Sequence, residues 1–132
     1  MNKVFVDTSA FYALLSGTDG NHERAVKSFE RLREDNAALL STSYVLVETY
    51  ALLDRRLGRE AARRFREEFS PLLEIIWVSR NLHERAMDLF VGSPHSVSLV
   101  DAASFLCLRD LQIERAWAFD QHLADEGFEL VE

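Results

Sequence analysis

Apolar residues recur along this chain in two alternating rhythms, short unbroken runs and stripes at helical spacing. Lys3 to Asp7 suits a short buried strand, and Thr8 to Leu15 follows as a helix with no Gly or Pro to stop it. After a polar turn at Gly17 to Asn21, the spacing of Ala25, Val26, Phe29 and Leu32 predicts an amphipathic helix bounded by Asp35 and Asn36. Ala37 to Leu40 reads as a second strand. Thr42 or Ser43 can then cap a helix carrying Val45, Leu46, Thr49, Tyr50, Leu52 and Leu53. Gly58 separates it from a helix with Ala61, Ala62, Phe65 and Phe69 on one face, which Pro71 is expected to end.

Leu73 to Val78 reads as a third strand, and Leu82, Ala86, Leu89 and Phe90 as one helical face. The loop Gly92 to Ser96 precedes a helix over Leu99 to Leu111. Arg115 to Phe119 and Phe128 to Val131 complete the strands. The order β-α-α-β-α-α-β-α-α-β-α-β predicts a mainly parallel sheet of four or five strands covered by helices, because strands buried on both faces need cover on both sides. Both tryptophans, Trp77 and Trp117, fall in strand segments and are expected in the core.

The 132 residues suit a single domain over 1–132, and 48% hydrophobic content is enough to close a core. Fifteen Lys plus Arg against 22 Asp plus Glu give a net charge of −7, which argues against indiscriminate adhesion to nucleic acid but leaves room for a local basic surface. Cys107 is the sole cysteine, so no internal disulfide or cysteine metal site can form, and a reducing cytoplasm is expected. The scattered histidines His22, His83, His95 and His122 form no zinc set. No stretch approaches the ~20 apolar residues of a membrane span, so no membrane association is expected.

Four carboxylates stand in apolar neighbourhoods: Asp7 in V-F-V-D-T-S, Glu48 in L-V-E-T-Y, Asp101 in S-L-V-D-A-A and Asp120 in A-F-D-Q-H. A buried carboxylate costs several kcal/mol without compensation. Asp7 and Asp120 follow strands at the edge where open α/β sheets form clefts, and Glu48 and Asp101 can be carried there by helices. Mg²⁺ or Mn²⁺ would neutralise such a cluster through oxygen ligands, and would promote attack of water on a phosphodiester. Each acid also has a structural alternative. Asp7, Asp101 (with Ser98, as S-x-x-D) and Asp120 can cap helices, and Glu48 can be locally paired.

Thr8 and Ser9 place hydroxyls beside Asp7, where they can orient a carboxylate or merely cap the helix. His122 can position Asp120 or touch substrate, with solvent exposure as its alternative, and Asp125 can extend the acidic rim. The basic concentration runs through Arg55, Arg56, Arg59, Arg63, Arg64 and Arg66. Arg55, Arg56, Arg59 and Arg63 are candidate contacts for RNA phosphates, although Glu60, Glu67 and Glu68 offer a mutually paired solvated face instead.

The ordered blocks V-F-V-D-T-S, L-V-E-T-Y, S-L-V-D-A-A-S-F and A-F-D-Q-H-L-A-D-E-G-F resemble the PIN domain family, with VapC-like toxins and close standalone relatives nearest. The resemblance spans nearly the whole chain. It implies a three-layer α/β/α domain and a Mg²⁺- or Mn²⁺-dependent endoribonuclease with Asp7, Glu48, Asp101 and Asp120 as catalytic metal ligands. Thr8 or Ser9 matches the family's hydroxyl position, and His122 a position often basic. It further implies a homodimer and, in toxin–antitoxin systems, a small inhibitory antitoxin. A phosphatase of the haloacid dehalogenase type would want a second Asp two residues after Asp7, where Ser9 stands. A receiver domain would want an early acidic pair. A catalytically weak or inactive PIN-like module that binds RNA or protein is the remaining alternative.

Overall fold

The computed structural model describes residues 2–131. Five strands form one sheet: β1 (Lys3–Val6), β2 (Ala38–Thr42), β3 (Leu73–Ile76), β4 (Arg115–Trp117) and β5 (Glu129–Val131). Their spatial order is β3-β2-β1-β4-β5, and every pairing is parallel. The helices are α1 (Thr8–Leu15), α2 (His22–Glu34), α3 (Ser43–Leu57), α4 (Arg59–Arg64), α5 (Arg80–Val91), α6 (Leu99–Asp110) and α7 (His122–Asp125). The architecture is the three-layer α/β/α sandwich expected from the alternation, with five strands. From β1 the chain builds outward through β2 and β3, then returns to lay β4 on the other side. The reversal between β1 and β4 makes the crevice in which such sheets form their sites.

Central burial follows from two-sided cover. Val4, Phe5 and Val6 are wholly inaccessible, as are Ala116 and Trp117 beside them. The Trp117 ring stacks on Phe29 with centroids 5.7 Å apart and meets Phe11 edge-on at 6.5 Å. Its indole N–H donates to Ser28 Oγ at 2.9 Å, satisfying the polar atom that burial would otherwise orphan.

Several sequence expectations move. Trp77 lies beyond β3 and is 74% exposed, because β3 is an edge strand that ends at Ile76. β4 stops at Trp117 rather than Phe119, and β2 runs on to Thr42. The stretch after Gly58 passes from α4 through a π-helical turn (Phe65–Phe69) into a 3-10 turn (Ser70–Leu72) that contains Pro71. Proline is tolerated there because the start of a helical turn needs no N–H donor, so it sits inside the transition instead of before it.

Candidate active site

Asp7 is the first residue after β1 and the N-cap of α1. Its amide still donates to the Trp117 carbonyl at 3.1 Å, extending the β1–β4 ladder by one bond. Its Oδ2 accepts from the Ser9 amide (3.1 Å) and the Ser9 hydroxyl (2.6 Å). Ser9 Oγ in turn accepts from the Phe119 amide at 2.9 Å, so one hydroxyl joins the end of β1 to the loop after β4. Asp7 is 8% exposed. Burial pushes its carboxyl up to about 6, the Asp120 charge pushes the same way, the Ser9 bonds oppose both, and Glu48 adds a smaller upward push.

Asp101 occupies the third position of α6 in a reciprocal capping box, its amide donating to Ser98 Oγ and its Oδ2 accepting from the Ser98 amide, each at 3.0 Å. Asp120 lies in the loop after β4, and its Oδ1 accepts from the His122 amide at 3.2 Å. His122 Nδ1 stands 3.3 Å from Asp101 Oδ2 and 3.7 Å from Asp120 Oδ1. Glu48 projects from α3. Its apolar sequence neighbours Val45 and Leu46 turn inward, whereas Glu48 itself is exposed at the pocket edge. Of these four acids in apolar sequence blocks only Asp7 is buried; Asp101 is half-buried, and Glu48 and Asp120 are exposed. Capping and clustering also prove compatible, since Asp7 and Asp101 cap their helices while facing the same cleft.

Asp7, Glu48, Asp101 and Asp120 line one pocket of about 330 Å³ together with Thr8, Ser9, Leu52, Ser96, Ser98 and His122. The Thr8 and Thr49 hydroxyls meet at 3.1 Å beneath it, with Thr49 also 2.7 Å from the Val45 carbonyl, which ties α1 to α3. Thr49, Leu52 and Ser96 were not singled out as site residues from the sequence. Thr49 follows Glu48 directly, and Ser96 lies two residues before the capping box, so adjacency to the acids was the available signal. His95 is exposed and Asp125 is exposed on α7. His83 bonds Tyr44, and His22 bonds the Ala13 carbonyl. Cys107 is buried, which lifts its thiol to about 11 and makes it a packing residue.

The donor set is all hard oxygen apart from one imidazole, the chemistry that suits Mg²⁺ or Mn²⁺. Among the described residues, no three of His, Cys, Asp and Glu are gathered closely enough to hold an ion as they stand. Mg²⁺ characteristically keeps several waters and takes one or two carboxylates, so these oxygens would suit it without a full protein cage.

The profile of the family described as the PIN domain matches residues 4–128. The chain belongs to the PIN domain family. It is 35% identical over 128 residues to the 23S rRNA-specific endonuclease VapC20 of Mycobacterium tuberculosis, with 95% of each chain covered, in both the CDC 1551 and H37Rv strains. The crystal structure of VapC20, described as a sarcin–ricin loop cleaving toxin, superposes with a TM-score of 0.80 at 33% identity, again over 95% of each chain. FitAcB of Neisseria gonorrhoeae matches with a TM-score of 0.69 at 12% identity, over 98% of this chain and 96% of its own, a likeness of fold alone.

The arginines separate in space. Arg59 is bound by Asp54 at 2.7 Å, Arg63 by Glu60 and Arg64 by Glu68 at 3.0 Å. Arg56 lies over the Tyr12 ring, 5.6 Å from its centroid. Arg55 instead lines a groove with Thr8, Glu48, Ala51 and Leu52. Among the described residues, no helix is long and apolar enough to cross a membrane.

Proposed function

We propose that this chain is a Mg²⁺- or Mn²⁺-dependent endoribonuclease and the toxin component of a type II toxin–antitoxin system, acting as a single domain over 1–132. The supporting observation is the convergence of Asp7, Glu48, Asp101 and Asp120, from four separate elements, on one pocket at the C-terminal edge of the sheet. These acids are the residues that would hold the ion. Its chemistry when bound would be activation of water and stabilisation of negative charge on the phosphoryl group. The protein's own contribution is orientation. Ser9 fixes one Asp7 oxygen by two hydrogen bonds, both on Oδ2, and the capping box restrains Asp101 through the Ser98 amide. His122, between Asp101 and Asp120, is suited to contact substrate or to position Asp120.

The likeness to a 23S rRNA-specific endonuclease favours ribosomal RNA, with the sarcin–ricin loop as the first target to test. A cytoplasmic location, a homodimer and control by a small antitoxin accompany this reading. Purified antitoxin-free protein incubated with ribosomes and total RNA should create new RNA termini with Mg²⁺ or Mn²⁺ and none with EDTA. Asp7→Asn and Asp101→Asn should stay folded and lose at least 100-fold in rate; unchanged cleavage by both would reject the site, and metal-independent RNA binding without cleavage would favour the inactive-module alternative.

A further inference from the structure

We infer that Arg55 is an RNA-phosphate residue of this site, holding a phosphate beside the acidic pocket. This deepens the proposed ribonuclease reading and rests on it. Three observations carry it. The groove lined by Arg55 shares Thr8, Glu48 and Leu52 with the acidic pocket, so the two form one continuous depression along α3. Glu48, Leu52 and Arg55 follow at i, i+4 and i+7, which puts them on one helical face. Seven residues separate the backbone positions of Glu48 and Arg55 by ~10 Å along the axis, and Arg55 lines the adjoining groove but not the acidic pocket itself.

Four of the other five arginines of this segment already have partners, and Arg66 lies outside the lining of both depressions. Asp54, Glu60 and Glu68 hold Arg59, Arg63 and Arg64, and Tyr12 receives Arg56. No acidic side chain within salt-bridge distance accompanies Arg55 among the described residues. An exposed guanidinium at the end of an acidic cleft fits a ligand that is itself anionic, and its planar fork matches two phosphate oxygens. RNA also needs such a cation here, because the chain's net charge of −7 gives no general attraction.

The test compares wild type with Arg55→Ala, Arg55→Lys and Arg59→Ala in two assays. One is cleavage of an RNA oligonucleotide substrate with Mg²⁺ across a KCl series; the other is anisotropy of the same labelled RNA in EDTA. Arg55→Ala should raise KM and Kd about tenfold, leave kcat within about twofold, and make the salt dependence shallower by ~0.7 in log–log slope. Arg55→Lys should recover part of the affinity, and Arg59→Ala should match wild type. Unchanged KM, Kd and salt slope in Arg55→Ala would overturn the inference, as would a defect confined to inhibition by an antitoxin peptide. Wild type that binds RNA through Arg55 yet cleaves none would overturn the proposed activity and leave the inference standing.

Discussion

At the scale of single residues, Asp7 carries the main energetic tension. It is nine-tenths buried, its two hydrogen bonds both fall on Oδ2, and the nearest charges acting on it are negative. Its folded pKa of about 6 lies above the ordinary 3.8, so the folded state prefers the protonated acid. The resulting contribution to stability is complete below pH 4 and is lost as pH rises through 6, on the order of 2–3 kcal/mol for the metal-free protein. In EDTA, thermal unfolding of wild type should therefore decline over this window, and Asp7→Asn should flatten the decline and melt higher at pH 7.5. Adding Mg²⁺ should narrow the gap. Equal pH profiles for the two proteins in EDTA would show that Asp7 is not strained. The sequence V-F-V-D-T-S already pointed to Asp7 as a costly acid, because three buried apolar residues lead straight into it. Glu48 was misjudged by the same reasoning, since on a helix adjacent residues face different directions and Val45 and Leu46 point where Glu48 does not.

At the scale of elements, helix starts organise the cleft. α1 begins at Asp7, α3 at Thr42, whose Oγ1 accepts from the Val45 amide at 3.1 Å, and α6 at Ser98. Each cap starts a helix that carries a pocket residue one to six positions later. Ser98→Ala removes one side of the capping box and should cost about 1 kcal/mol, a fall in melting temperature of about 4 °C by calorimetry. The Asp101 carboxylate keeps its bond from the amide of residue 98, so the Mg²⁺ dependence of cleavage should stay close to wild type; a marked rise in the Mg²⁺ required would show that the Ser98 hydroxyl also positions Asp101. These starts were legible from Thr42, Ser98 and the S-x-x-D spacing. The π-helical passage from Phe65 to Phe69 was not, because local spacing there reads as ordinary helix and the change is imposed by packing of Phe65 against Phe11 and Tyr50.

At the scale of the whole molecule, exposed apolar residues mark a face that one copy leaves uncovered. Val47 is 70% exposed, and it lines an apolar groove with Tyr44, Glu48, Leu99 and Val100 beside the acidic pocket. The proposed homodimer should use this face, bringing two clefts to one RNA surface. Mass measured by light scattering across dilution should give twice 15.1 kDa, and Val47→Glu should shift the protein to monomer; a wild-type monomer at all concentrations would refute the dimer. What the sequence alone determined was the order of elements and which acids stand in apolar blocks, because hydrophobic periodicity is local and a carboxylate in an apolar block is visible without neighbours. Tertiary structure decided which of those acids are buried, how they share one pocket, and that Arg55 lines the groove beside it, because burial and convergence depend on residues far apart in the chain, and the reversal of the sheet between β1 and β4 brings them together.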